Sequence, residues 1–169
     1  MQNILDAIYD EIDREYYRAN EVYQNWMTVI AKREVERSQR KLDKSEKTNY
    51  ELRLEFAGNS FALRWLKVTF TRHHTSKKLT KLYENISVPE DGRYKKGKFQ
   101  KADEWELKMV MYAEEALSPI RVKVKHLMKA HQNVIYAAKS MNTDVQIKPQ
   151  ASRVEKTDLT IAKIKQRFK

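Results

Sequence analysis

Cysteine is absent from this 169-residue chain, and glycine and proline occur only three times each. The lack of cysteine excludes disulfides, cysteine-ligated zinc sites, iron–sulfur clusters and thiol catalysis. So few glycines and prolines favour long regular elements joined by few turns. The sequence also has no apolar run of about 20 residues and no signal-peptide pattern at its N-terminus. We therefore expect a cytoplasmic protein without a transmembrane helix.

Positive charge is abundant and unevenly placed. Lysine and arginine number 34 against 23 acidic residues, which gives a formal net charge of +11. Residues 1–25 hold two basic and six acidic side chains, whereas residues 64–101 hold eleven basic and three acidic ones. Residues 118–142 carry five basic side chains and no acidic one, and the tail from Thr143 is basic too. The central segment is the best candidate for a polyanion-binding surface.

The first part of the chain has the apolar period of an amphipathic helix. Apolar residues recur at alternating spacings of four and three, at Ile12, Tyr16, Ala19, Tyr23, Trp26 and Ile30. The pattern predicts a helix over 3–47 whose later part is charged. The stripe is longer than a small sheet can cover, so we expect Tyr16, Tyr23, Trp26 and Ile30 to face a partner. A homodimer is the first candidate.

The period then changes to two, which predicts β-structure over 48–101. Apolar and charged residues alternate from Tyr50 to Phe56, and Gly58-Asn59-Ser60 marks a tight turn. In the return strand the apolar phase slips between Trp65 and Leu66, which predicts a β-bulge there. Residues 79–88 can add a third strand. The expected sheet is small, antiparallel and three-stranded.

A second long helix is predicted over 102–142, with Pro119 as a kink within it. The remaining residues, 143–169, are predicted to be a basic linker and tail with a possible short helix over 158–168. The fold class is therefore α+β. Its single domain over 1–142 comprises the helix over 3–47, the β-region over 48–101 and the helix over 102–142.

One motif resembles a phosphate-binding loop by spacing alone. Gly92 to Lys98 matches G-x-x-x-x-G-K, but Phe99 stands where the motif needs Ser or Thr to hold magnesium. No buried strand precedes it, so nucleotide binding is not expected.

Other residues that can carry chemistry are poorly spaced for it. Adjacent histidines on a strand point to opposite faces, and a spacing of five on a helix does not converge on a metal. The acidic pairs are expected to be solvated charges. The groups concerned are His73 and His74, His126 and His131, Asp103 and Glu104, and Glu114 and Glu115. We expect no enzymatic activity, no metal and no cofactor.

Basic residues interleaved with aromatic ones over 64–101 predict contacts with double-stranded DNA, because a β-ribbon of this kind fits the major groove. The candidate contacts are Arg64, Lys67, Arg72, Lys77, Lys78, Lys81, Arg93, Tyr94, Lys95, Lys96 and Lys98. The arginines suit bidentate contacts to phosphates or bases, and the lysines suit point-charge contacts.

Several short motifs stand out in this part of the chain: the run from Gly58 to Lys67, Glu84-Asn-Ile86, Gly92-Arg93-Tyr94, Phe99, Trp105-Glu106 and Ile120-Arg121. Together they resemble the MobI family of small mobilisation proteins from integrative conjugative elements and conjugative plasmids. The resemblance covers roughly residues 48 to 135. It implies a bacterial cytoplasmic, non-enzymatic factor that acts at the origin of transfer with the relaxase, the enzyme that nicks DNA there.

Two other functions fit the same sequence. The helices of an interaction module would recruit a partner while the charge only aids solubility, so reversing Lys95, Lys96 and Lys98 would leave function intact. An RNA-binding regulator would instead prefer structured RNA over duplex DNA, because A-form RNA hides the groove that a β-ribbon reads.

Overall fold

The structure, a computed structural model, describes residues 1–40, 48–72 and 79–168. It has two long helices, a three-stranded antiparallel sheet and a structured tail, so the predicted α+β class is confirmed. The elements are α1 (Gln2–Arg40), β1 (Tyr50–Ala57), β2 (Ser60–Arg72), β3 (Leu79–Asn85), α2 (Glu104–Ser140), α3 (Gln150–Arg153) and α4 (Ile161–Lys165). Among these described helices, none is long and apolar enough to cross a membrane.

The helices begin and end close to where the apolar period does. The predicted end of the first helix, over 41–47, lies outside the described residues. Pro119 lies inside α2, which continues through it. Asn142 ends α2 by adopting a left-handed φ of 49°. The amide of Thr143 then donates to the carbonyl of Ala138 at 2.9 Å, which closes the last turn.

The central strand pairs along its whole length, so the predicted bulge is wrong. Leu52 lies opposite Trp65, Leu66 lies opposite Asn85, and both registers run without an inserted residue. Trp65 faces the helices while Leu66 points to the other side, yet both are buried. The phase slip arises because this part of the central strand is buried on both faces, which removes the alternation of a half-buried strand.

Two contacts cover the side of the sheet that faces away from the helices. Lys81 on β3 reaches Glu51 on β1 at 2.6 Å, and the Arg53 guanidinium lies 4.9 Å from the centre of the Tyr83 ring. Both contacts cross the central strand, because β2 lies between β1 and β3. Leu66 lies on this side of the sheet and is fully buried.

The two long helices lie antiparallel beside the sheet. At one end Tyr9 of α1 contacts His131 of α2 at 2.9 Å, and at the other Arg33 stacks 4.0 Å from the centre of the Trp105 ring. Trp26 of α1 packs edge-on against Trp65 of β2 with 4.8 Å between ring centres. The core is therefore built from both helices and the inner face of the sheet.

The tail packs along α1, which differs from the predicted linker. Lys148 pairs with Asp6 at 2.8 Å, and Arg153 pairs with Asp13 at 2.9 Å. Further along, Ile164 of α4 is buried against Met27 and Ala31. The acidic start of the chain and its basic end thus neutralise each other, which explains the opposite charges of the two segments.

Candidate nucleic-acid interface

In the loop between β3 and α2, buried aromatic residues alternate with exposed basic residues. Tyr94 and Phe99 are buried, whereas Arg93, Lys95 and Lys98 are exposed. The Tyr94 hydroxyl donates to the carbonyl of Ile86 at 2.9 Å. The aromatic side chains therefore anchor the loop in the core and leave its cations in solvent.

A turn at Gly92 lets this loop lie directly on α2. Gly92 has a φ of 72°, and a Cβ there would lie 2.8 Å from Cγ2 of Val122. Its amide donates to the carbonyl of Pro89 at 2.9 Å. Both the backbone conformation and the close approach require glycine at this position.

A buried ion pair holds the loop, the sheet and α2 together. Arg121 Nη2 lies 2.7 Å from Glu114 Oε1, and both side chains are almost fully buried. Glu114 also accepts hydrogen bonds from the Trp65 indole at 2.7 Å and from the Tyr94 amide at 3.0 Å. The guanidinium of Arg121 in turn donates to the carbonyls of Leu63 and Gly92 at 2.8 and 3.1 Å. Because both charges are fully hydrogen-bonded, the pair can be buried and fix the loop.

A shallow concavity forms where the loop meets α2. Its volume is about 700 Å³, and it is lined by Pro89, Glu90, Asp91, Arg93, Lys95, Lys98 and Lys125. Lys125 Nζ donates to the carbonyl of Glu90 at 2.9 Å, which ties the helix to the loop. Asp91 accepts the amide of Arg93 at 3.1 Å and so shapes the turn.

The positive charge continues along α2. Lys125, Lys129 and Tyr136 are exposed and share one face of the helix by their spacing. At 1.5 Å per residue Lys125 and Lys129 lie about 6 Å apart along the helix axis, and the uncharged Tyr136 lies about 16 Å from Lys125. We use the term basic surface for Arg93, Lys95, Lys96 and Lys98 of the loop together with Lys125 and Lys129 of α2. None of the carboxylates that the structure describes forms a salt bridge with these six side chains.

Three predicted DNA contacts on the sheet are instead paired with acidic side chains. Arg64 contacts Glu55 at 2.5 Å, Lys67 contacts Glu84 at 2.7 Å and Lys81 contacts Glu51 at 2.6 Å. The hydrogen bond to Glu84 raises the pKa of Lys67 above its ordinary value. The charge of the described part of the sheet is therefore largely neutralised.

The other predicted contacts divide into four groups. Tyr94 is fully buried, so the expectation that it touches DNA is wrong. Arg72 is exposed at the end of β2 and pairs with Leu79 at the start of β3, whereas the loop cations follow the end of β3. Lys77 and Lys78 lie outside the described residues. The structure brings together the four loop residues Arg93, Lys95, Lys96 and Lys98.

Two members of the basic surface were missed from the sequence. Lys125 and Lys129 lie in the segment 118–142, which has five basic residues and no acidic one. That imbalance was the available signal. Nearby Lys123 is exposed but bonds Glu15 at 2.7 Å as well as Glu11, so charge alone does not tell which lysines remain unpaired.

The acidic pair at Glu114 and Glu115 was expected to be solvated, which is wrong for Glu114 because Arg121, the Trp65 indole and the Tyr94 amide enclose it. Glu106 is a second buried carboxylate, and it joins the start of β1 to α2. It accepts the amides of Asn49 and Tyr50 at 2.8 and 2.9 Å. Burial raises the pKa of Glu106 to about 7 despite these hydrogen bonds.

The helical stripe predicted to face a partner is covered by the chain itself. Tyr16, Trp26 and Ile30 are buried in the core, and Tyr23 is half-buried. The sheet and the tail provide the cover that the sequence did not reveal. These side chains are therefore not available to a second chain in this structure.

The histidines do not form a metal site among the residues described. In residues 1–40, 48–72 and 79–168, no three His, Asp or Glu side chains lie close enough to share a metal ion. His131 is buried against Tyr9, and burial lowers its pKa. His73 and His74 lie outside the described residues.

Comparison with protein families gives a match over residues 16–135, to a family described as MobI protein. The match covers well over half of the chain. The protein belongs to the MobI family. Comparisons with curated proteins and with solved structures find no match.

The MobI match includes the parts of the fold that position the basic surface. It runs from Tyr16 of α1 through the sheet and the loop to Ile135 of α2. The buried Glu114–Arg121 pair and Gly92 both lie within it. The docked tail, which begins after α2, lies outside it. A role in conjugative mobilisation follows from membership of the family.

Proposed function

We propose that this protein is a double-stranded DNA-binding auxiliary factor of conjugative transfer, which binds the origin of transfer and helps the relaxase to assemble there without catalysing a reaction itself. The observation that carries the proposal is the basic surface. Its six cations form no salt bridge with a described carboxylate, whereas Arg64, Lys67 and Lys81 of the sheet are paired. The MobI family supports the role in mobilisation.

The shape of the basic surface suits a nucleic-acid backbone. The loop supplies Arg93, whose guanidinium can bind phosphate through two hydrogen bonds, and α2 supplies Lys125 and Lys129 along one line. B-DNA carries one negative charge per 1.7 Å or so of helix axis, so the distance of about 6 Å between Lys125 and Lys129 corresponds to about three phosphate charges, and the loop cations extend this contact. The loop and helix thus replace the β-ribbon as the proposed contact.

The rim of the concavity also carries acidic groups that bear on specificity. Glu90 and Asp91 line it together with Arg93 and Lys95. A carboxylate beside phosphate-binding cations disfavours indiscriminate contact and can accept a hydrogen bond from the amino group of cytosine. Mixed charge at this position supports a sequence preference in addition to general affinity.

Fluorescence anisotropy across a salt series tests DNA binding. The labelled probes are the duplex of the element's own origin of transfer and a scrambled duplex of equal length. We expect tighter binding to the origin by tenfold or more, equivalent to about 1.4 kcal/mol, with a steep salt dependence. Equal binding to both duplexes would contradict a sequence preference, and no binding near physiological salt would contradict the DNA proposal altogether.

A matched pair of triple variants locates the DNA-binding surface. Replacing Lys95, Lys98 and Lys125 with Gln should weaken binding at least tenfold and reduce the salt slope by about 0.9 for each phosphate that is no longer neutralised. The control replaces Lys32, Lys108 and Lys156, three exposed lysines outside the basic surface, with Gln and changes the net charge equally. If both variants lose affinity to the same degree, overall charge rather than this surface is responsible. A structured RNA added as competitor tests the RNA-binding alternative.

Assembly with the relaxase needs a separate measurement. The element's relaxase is supplied in limiting amount with a supercoiled plasmid that carries the origin, and the nicked fraction is measured. We expect the protein to increase nicking and the Lys95, Lys98 and Lys125 variant to lose that effect. The protein added without the relaxase should nick nothing. Stimulation that survives in the triple variant would favour the interaction module, in which the helices recruit the partner.

A further inference from the structure

The outer edge of β3 is an unpaired strand edge. The sheet order is β1-β2-β3, so β3 pairs with β2 on one side only. All seven of its residues are exposed. Three of them are large and apolar, with Leu79 exposed by 58%, Leu82 by 47% and Tyr83 by 46%. Long exposed edges with apolar side chains favour pairing with another strand.

The hydrogen-bond pattern shows which backbone groups point outward. The amide of Ile86 donates to the carbonyl of Trp65 at 3.2 Å, so every second residue before Ile86 also bonds β2. Those residues are Thr80, Leu82 and Glu84. The N–H and C=O groups of Leu79, Lys81 and Tyr83 therefore point away from the sheet. Within the described ranges, no backbone group pairs with them.

We infer that this edge binds β3 of a second copy of the chain, antiparallel, about a two-fold axis that passes beside Leu82. The occupant is identified by the sequence of the strand, which is complementary to itself in this arrangement. A two-fold axis places Leu82 opposite Leu82 of the second copy and each Lys81 opposite the other copy's Tyr83. All seven residues from Leu79 to Asn85 then find a partner. This dimer contact is independent of the basic surface and of DNA.

Like charges disfavour the neighbouring registers. The outward-pointing N–H and C=O groups of one copy must lie opposite those of the other copy. Because these groups belong to alternate residues, the two-fold axis must pass next to a residue and cannot pass between two residues. An axis at Lys81 would place two ammonium groups opposite each other, and one at Glu84 would pair two carboxylates. An axis at Tyr83 would place Leu82 opposite Glu84. The axis at Leu82 is the register that pairs apolar with apolar and lysine with an aromatic ring, a contact that Lys81 and Tyr83 already make within one chain at 5.0 Å.

Cross-linking tests the register directly, because the chain has no cysteine of its own. In a non-hydrogen-bonded antiparallel pair the Cα atoms lie about 4.5 Å apart, within the range of a disulfide. Leu82→Cys should therefore form a covalent dimer on mild oxidation. Leu79→Cys is the control, since the two copies of residue 79 would lie about 20 Å apart at some 3.4 Å per residue. A cross-link in L79C but not in L82C would overturn this register.

Sedimentation of the full chain tests the dimer without modification. We expect a mass of twice 20.2 kDa at tens of micromolar. Leu82→Lys, which places two ammonium groups on the axis, should weaken the dimer at least tenfold, whereas Leu79→Lys should change it little. Because residues 79 and 82 are both exposed, each variant should keep the thermal midpoint of the wild type when all three proteins are compared at a concentration low enough for them to be monomeric. A wild-type chain that remains monomeric up to 100 µM or so would overturn the inference, whether or not it binds DNA.

Discussion

Arg121 encloses Glu114 from two helical turns away and, in the same guanidinium, bonds the carbonyl of Gly92 at 3.1 Å. This relationship links the interior of the protein to its charged exterior. The loop that carries Arg93 and Lys95 is hydrogen-bonded to Arg121 inside the core. The position of the basic surface therefore depends on a buried ion pair.

Removing one partner of that pair should be costly. We expect Arg121→Met to lower the free energy of unfolding by about 3–5 kcal/mol, because it leaves the buried Glu114 carboxylate without its cation. Urea denaturation measures the change. The control is Arg93→Met, on the exposed side of the same loop, which should stay within about 0.5 kcal/mol of the wild type. A loss below about 1 kcal/mol in R121M would show that Trp65 and Tyr94 suffice to hold Glu114.

Two glycines of the loop should respond differently to alanine. Gly92→Ala puts a Cβ 2.8 Å from Val122 at a φ of 72°, so we expect a loss of stability of about 1–3 kcal/mol. Gly97→Ala meets no atom within 4 Å and should be nearly neutral. Thermal denaturation compares the two variants. The same G92A protein should bind duplex DNA more weakly than G97A, and equal affinities would mean that the loop need not be held in place.

Glu106 should make the stability depend on pH. The folded protein holds a proton on this carboxyl up to a pKa of about 7, whereas the unfolded chain releases it near 4.5. The unfolded state therefore binds fewer protons between these values, and the free energy of unfolding falls as pH rises from 4.5 to 7. The contribution is of the order of 3 kcal/mol.

Glu106→Gln isolates this effect. The amide stays neutral throughout, so the difference in unfolding free energy between E106Q and wild type should grow in favour of the variant from pH 4.5 to 7. Wild type alone is a poor guide, because burial lowers the pKa of His131 and makes stability rise with pH in the upper part of the same window. Parallel pH profiles for the two proteins would contradict the raised pKa.

The tail should contribute to the stability of the whole chain. Ile164 is 1% exposed and packs against Met27 and Ala31, so Ile164→Ala should cost about 2–4 kcal/mol. Phe168 is 37% exposed, and Phe168→Ala should cost much less. Equilibrium unfolding gives both values. If I164A is as stable as wild type while its α4 amides exchange freely, the tail is only loosely attached.

The elements of the fold could be predicted because each has a local cause. The apolar period of α1 and the alternation of β1 depend on neighbours a few residues apart. The partner of Glu114 could not be predicted from the sequence. A basic side chain seven residues away is only one of several on the same helix that can reach a given carboxylate. Whether a carboxylate is buried depends on what covers the helix, and here the cover comes from Trp65 and Tyr94.

The sequence predicted which segment is basic but not which of its cations are paired with acidic side chains. Counting charge located the segment 64–101 but treated every lysine in it alike. The pairing of Lys81 with Glu51 joins residues 30 positions apart across an intervening strand, so it follows from the register and not from composition. The loop cations remain candidates because no acidic partner reaches them within the described part of the chain.

The paired charges of the sheet make the charge distribution of the molecule uneven. Arg64, Lys67 and Lys81 of the sheet are paired, whereas the cations of the basic surface form no salt bridge with a described carboxylate. An uneven distribution of charge of this kind gives a molecule a dipole moment as well as a net charge. In the field of a polyanion such a body experiences a torque before any contact is made, over a distance set by a Debye length of about 8 Å at physiological salt. An approaching duplex would therefore turn the protein so that Lys95 and Lys125 arrive first.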